Sequence, residues 1–192
     1  MRKIRYALLL LALALAVPAT VRPAAAQMAE EQAAETWPEA DPEDVESIDA
    51  VIAALYDVIS GPAGEARDWD RFRSLHIPQA RLIPTGRNAQ TGEFGHRVWS
   101  VDDFVEASGA VMEERGFFEN EVARTTERFG SMAHAFSTYE SRWTPDDLEP
   151  FQRGINSIQL MHDGTRWYVM NIFWTPETPE LPIPERYLDE GR

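Results

Sequence analysis

The chain of 192 residues contains no cysteine, and its 18 basic side chains stand against 32 acidic ones for a net charge of −14 at pH 7. Without cysteine there are no disulfides, no thiolate chemistry and no lipid attached through an N-terminal cysteine. A charge this negative sets the chain against nucleic acid and anionic membrane surfaces as partners.

Residues 1–26 carry the parts of a Sec-type signal peptide in order. Arg2, Lys3 and Arg5 make a basic start, Tyr6 to Val17 an apolar run, and Ala24, Ala25 and Ala26 a small-residue cleavage site before Gln27. The run is about a dozen residues, short of the roughly 20 that span a bilayer core, so cleavage after Ala26 is expected rather than a retained anchor. The product is expected to be a periplasmic or secreted bacterial protein with no membrane insertion. It keeps 14 basic side chains, the 18 less Arg2, Lys3, Arg5 and Arg22, against 32 acidic ones, a net charge of −18. Lys3 is the only lysine. The mature chain therefore has no Schiff-base catalyst, no lysine for a pyridoxal cofactor and no P-loop, and no cofactor is expected.

From Gln27 to Glu43 the chain is rich in Glu, Ala and Pro with little apolar periodicity, which reads as a flexible acidic leader. Val45, Ile48, Ile52, Leu55, Tyr56 and Ile59 then recur at threes and fours, giving one face of a helix ended by Ser60, Gly61 and Pro62. Asp68 caps a second, short helix with Trp69, Phe72 and Leu75 on its apolar face, stopped before Pro78. Arg81 to Pro84 reads as a short edge strand, and Thr85 to Glu93 as a polar loop. Ser100 caps a third helix, with Asp103 as an acidic variant of the capping box and Gly116 at the end. Four strands follow: Phe118 to Phe129, Met132 to Trp143, Gly154 to His162 and Arg166 to Trp174, the last two joined at Asp163 and Gly164. From Pro176 onward the chain reads, like the leader, as flexible, and Pro176, Pro179, Pro182 and Pro184 allow neither a helix nor a central strand. The globular domain is thus expected over 44–175, with a Pro-rich tail over 176–192.

These elements predict an α+β domain in which three N-terminal helices pack in the concave face of a curved, mainly antiparallel sheet, leaving a pocket at the open mouth. Strand alternation assigns the faces. Tyr168, Met170, Ile172 and Trp174 are read as pointing inward, with Asn156, Ile158 and Leu160 beside them. Ala133, Ala135, Ser137, Tyr139 and Trp143 suit the helix-covered face. His134, Glu140 and Arg142 suit solvent or a partner sheet.

The order of elements, with the final stretch Gly164-Thr165-Arg166-Trp167-Tyr168-Val169-Met170-Asn171-Ile172-Phe173-Trp174, resembles the nuclear transport factor 2-like superfamily, the cystatin-like cone fold of the SnoaL-like cyclases and ketosteroid isomerases. The resemblance covers roughly Val45 to Trp174. It places Tyr56 near the hydrogen-bond-donating tyrosine of those isomerases, Asn156 near their second oxyanion donor, an aspartic acid, and Trp174 near a pocket aromatic. A phenol and an amide converging on one point can polarise a carbonyl. Where the isomerases carry a catalytic aspartate on the first strand, this chain has Ile83-Pro84-Thr85, none of which takes a proton at neutral pH. His76 is left as the candidate base.

No His-x-His or His-x-x-x-His pair and no Gly-x-Ser-x-Gly elbow occurs, so neither a metal site nor a serine hydrolase is expected. Three readings stay open. A binding protein would hold a small, mostly apolar ligand against Tyr56, Tyr139, Asn156, Ile158, Met170 and Trp174. A cofactor-free lyase, cyclase or isomerase would use the same pocket with Tyr56 and His76. An interaction module would form a homodimer through the exposed sheet face.

Overall fold

The computed structural model of the protein describes residues 37–88 and 90–188. The expected signal peptide and most of the leader lie outside the described residues. The elements run α1 (Pro42–Val45), α2 (Ile48–Ile59), α3 (Trp69–Ser74), β1 (His76–Arg87), β2 (Phe94–His96), α4 (Val101–Arg115), β3 (Phe118–Phe129), β4 (Met132–Arg142), β5 (Gln152–His162), β6 (Trp167–Pro176) and a 3₁₀ turn at Glu185–Tyr187.

The first helix of the sequence reading is two helices, because Ser47 takes an extended conformation and caps α2 by accepting from the Ala50 amide at 3.0 Å. Asp68 caps α3 through the Arg71 amide. On α4 the capping box is complete: Ser100 Oγ accepts from the Asp103 amide at 3.1 Å, and Asp103 accepts from the Ser100 amide at 2.8 Å. Gly116 ends α4 at φ 75°, where a Cβ would stand 2.8 Å from the Trp143 carbonyl oxygen.

The six strands form one sheet in the order β2-β1-β6-β5-β4-β3. The last four make the expected antiparallel meander, and β1 joins β6 in parallel. Helices α2, α3 and α4 lie on one face, where Ile52, Leu55, Phe72, Leu75 and Phe104 meet Ala135, Tyr139, Ile158 and Val169. This is the cystatin-like α+β cone that the sequence implied.

Four expectations need correction. The stretch read as a short edge strand lies within a strand of 12 residues, β1, that also takes in Thr85 to Arg87 of the expected loop, and β2 forms the sheet edge beside it. Its two prolines fall where no amide is required: Pro78 sits in an irregular stretch between His76 and Arg81, and Pro84 accepts from the Arg97 amide without giving one back. The leader is not free up to Glu43. Trp37 packs on the core, and its indole nitrogen donates to the carbonyls of Arg73 at 2.9 Å and His76 at 3.0 Å. The Pro-rich tail folds back over the outer face of the sheet, where the Tyr187 ring meets Phe136 edge-on at 5.0 Å and Thr138 donates to the Tyr187 carbonyl. Leu181, Pro182 and Ile183 lie over Ile155 and Phe173 on that same face.

The fourth correction concerns parity in β6. A bulge sets Leu160 opposite Val169 but Gln159 opposite Asn171, so Met170 is the extra residue. Before it the inward residues are Trp167 and Val169, both buried, and after it Ile172 and Trp174. Tyr168 and Met170 therefore do not face the concave side as strict alternation required. Trp143, placed on the helix-covered face, lies just past β4, stacked on Phe151 at 3.9 Å under the Arg115 guanidinium.

Candidate functional site

Between the helices and the sheet lies a cavity of about 350 Å³. One wall is aromatic. Trp99, Phe104 and Trp174 form a three-ring cluster with centroids 6.3, 6.4 and 6.5 Å apart, and Phe72 stacks on Phe104 at 5.3 Å. The lining is polar where β3, β4 and β5 lie side by side: Glu119, Tyr139, Ser141, Gln152 and Asn156 stand there with Tyr56 from α2, and Asn156 is paired across the sheet with Trp174.

Tyr56 is buried, and its phenol sits in a directed chain of hydrogen bonds. Asn156 Nδ2 donates to the phenolic oxygen at 3.1 Å, that oxygen lies 2.6 Å from Ser137 Oγ, and Ser137 Oγ donates to Glu121 Oε1. Ser137 has one proton and gives it to Glu121, so with Glu121 ionised the phenol donates to Ser137. The two donors implied by the isomerase resemblance do converge, but on each other. Burial first, and then the charge of Glu119, push the phenol far above its ordinary range, so it is neutral.

Tyr139 reaches the same wall because Gly154, opposite it on β5, has no side chain. A Cβ at Gly154 would stand 2.5 Å from the Tyr139 hydroxyl and 2.6 Å from the Thr175 carbonyl oxygen. The Tyr139 hydroxyl accepts from Gln152 Nε2 at 2.9 Å.

Glu119 is the residue that sequence reasoning missed. It is the only charged side chain lining the cavity among the described residues. Its Oε2 accepts from Ser141 Oγ at 2.7 Å. Burial pushes its carboxyl up to about 7, and hydrogen bonds from Ser141 and Asn156 pull the other way. The β3 sequence hides it. Phe118, Asn120 and Val122 share one parity and Glu119 and Glu121 the other, so hydrophobicity assigns the apolar set to the inside. Register overrides this: Glu119 pairs with Ser141 and Glu121 with Tyr139, both on the inner face of β4. The small polar Ser137 and Ser141, two residues either side of Tyr139, were the only sequence signal that this wall needed polar partners.

The structure thus brings together Tyr56, Tyr139, Asn156, Ile158 and Trp174 around the cavity, and leaves Met170 out because of the bulge. His76 is also outside the lining. It is fully buried behind Phe72, whose ring lies 4.6 Å away, and its Nδ1 is bonded to the Phe72 carbonyl at 2.8 Å. Burial holds it down at about 4, and its Nε2 has no hydrogen-bond partner among the described residues. It does not reach a molecule in the cavity, whereas the Glu119 carboxyl lines it. No cluster of three metal-ligating side chains occurs among the described residues.

No protein-family model and no curated protein sequence matches the chain. Solved structures do match its fold. A protein of unknown function with a cystatin-like fold from Nostoc punctiforme is 12% identical, with 70% of this chain and 91% of that one covered and a TM-score of 0.52. An uncharacterized cystatin-like protein from Caulobacter vibrioides is 17% identical over 70% and 90%, with a TM-score of 0.51. A protein from Streptomyces avermitilis, provisionally described as a dehydratase of the NTF2-like family, is 12% identical over 70% and 96%, with a TM-score of 0.50.

The chain therefore has the nuclear transport factor 2-like, cystatin-like cone fold. Within that class its site is an apolar cavity with a single carboxyl group set into a hydrogen-bonded wall.

Proposed function

We propose that this is an exported protein that binds a small, mostly apolar molecule in the hollow of its cone. One observation carries the reading: the protein's own side chains leave the cavity open, wall it largely with aromatic and aliphatic groups, and gather its polar groups where β3, β4 and β5 meet, the pattern of a small-molecule site. Export rests on residues 1–26. Self-association through the outer sheet face belongs to the same proposal, limited to the part of that face that the tail leaves uncovered.

Native mass spectrometry of the protein purified from its own host tests both parts. The expected spectrum contains a small-molecule adduct that is lost on denaturation, and it reports the number of chains. A spectrum of bare polypeptide alone, from protein never exposed to detergent or heat, defeats the binding reading.

A cofactor-free lyase, cyclase or isomerase is the second reading, and Glu119 favours it. A carboxyl group near neutrality beside an amide and a phenol suits general acid–base chemistry. In that case Glu119→Gln abolishes turnover of the captured molecule without abolishing its binding, whereas a binding protein returns the molecule unchanged.

A further inference from the structure

We infer that the ligand is a lipophilic amine, bound as its ammonium ion against Glu119 with its apolar body directed toward Trp99, Phe104 and Trp174. The inference rests on the cavity-binding reading above and names the ligand class.

The polar wall is the first ground. Among the described residues the cavity lining contains one carboxylate and no arginine, lysine or histidine. A ligand carboxylate or phosphate would be buried beside Glu119 with no cation to meet it, which is strongly unfavourable in a low-dielectric site. The neutral groups do not reverse this. Asn156 Nδ2 is engaged by Tyr56, Gln152 Nε2 by Tyr139, and Ser141 Oγ by Glu119 itself. What remains open toward the cavity is the acceptor capacity of Glu119, whose carboxylate holds more lone pairs than the Ser141 and Asn156 bonds use, beside neutral donors, the Tyr139 hydroxyl and the second hydrogen of Gln152 Nε2, that cannot neutralise an anion. An ammonium supplies both donors and the opposite charge, and it offsets the penalty that burial places on the carboxylate.

The second ground is distance. Glu119 lies on β3 and Trp174 on β6, three strand spacings apart in the sheet order. At about 4.8 Å per strand this is about 14 Å across the strands, with a further four residues, about 13 Å, along them because Glu119 pairs with Ser141 while Trp174 shares the row of Asn156 and Ser137; the two side chains themselves close part of that gap. A single amine head with an aryl or alkyl body a few bonds long reaches from one wall to the other. The net charge of −14 also favours the approach of a cation.

The test is calorimetric titration of the full mature protein with three matched probes: 4-phenylbutylamine, 4-phenylbutanol and 4-phenylbutyrate. The expected order is amine, then alcohol, then acid, with the amine ahead of the alcohol by about tenfold or more. Glu119→Gln, which keeps the shape and removes the charge, is expected to bring amine and alcohol to within about threefold of each other while the alcohol still binds. An amine no tighter than the alcohol in the wild type, or an amine preference that survives in Glu119→Gln, overturns the inference and leaves the cavity reading standing. Failure of all three probes to bind removes both. The wild-type ranking alone decides the matter should the variant not fold.

Discussion

Asn156 on β5 and Tyr56 on α2, 100 residues apart in the chain, are joined by a 3.1 Å hydrogen bond from the amide nitrogen to the phenolic oxygen. This contact fastens the helix layer to the sheet at the polar wall of the cavity. The resemblance put both residues at the site, and the structure adds that they satisfy each other.

Replacing Tyr56 with Phe removes the middle of that chain, leaving the Asn156 donor without its acceptor and Ser137 without its donor. Unmatched buried polar groups cost about 1–2 kcal/mol in such cases. Tyr56→Phe is therefore expected to lower unfolding stability by about that amount in a urea titration, with the fold retained by circular dichroism. No measurable change would mean the phenol is not held as described.

Stability against pH contains two opposed contributions. Glu119 binds its proton more tightly in the folded chain, at about 7, than its ordinary 4.5. Its contribution is full below pH 4.5 and is lost as pH rises through 7. His76 runs the other way: held at about 4 against an ordinary 6.5, it contributes fully above pH 6.5 and loses that contribution as pH falls toward 4. Between pH 4.5 and 6.5 the slopes of these two groups oppose and nearly cancel. In Glu119→Gln stability should rise with pH across that window by roughly 2–3 kcal/mol, and in His76→Leu it should fall. Identical pH profiles for the two variants would contradict the assignment.

Gly154→Ala tests how the wall is built. The new methyl group meets the backbone oxygen of Thr175 as well as the Tyr139 hydroxyl, and only the second can be moved. Overpacking of this kind costs roughly 1–3 kcal/mol. Adding Tyr139→Phe is expected to recover part of the loss but not all, as read by thermal unfolding of the single and double variants.

Ending the chain after Pro176 tests the tail. It uncovers Phe136, Ile155 and Phe173, of which Phe173 is already 45% exposed. Exposed apolar surface on a sheet promotes association. The shortened protein is expected to show a larger mass than the full chain in size-exclusion chromatography with light scattering at equal concentration. Equal masses would mean that the tail does not limit self-association.

What was legible in the sequence follows from which signals are local. The capping box at Ser100 and Asp103, the turn at Asp163 and Gly164, and the inward parity of Ala133, Ala135, Ser137 and Tyr139 are written in a few adjacent residues. Met170 was misplaced because a bulge is a pairing event between two strands and leaves little trace in either. Glu119 was hidden because Phe118 and Val122 make the other side of β3 the more apolar one. His76 looked available only because the sequence does not say that Phe72 screens it.

The bulge at Met170 divides β6 into two short runs with separate duties. Trp167 and Val169 on one side belong to the packed interior, while Ile172 and Trp174 on the other border the hollow. Because the extra residue resets the alternation, neither run imposes its pattern on the other. A single inserted residue thus lets one short strand bring Trp167, Val169, Ile172 and Trp174 to the same face, where strict alternation would have sent the last two to the other side.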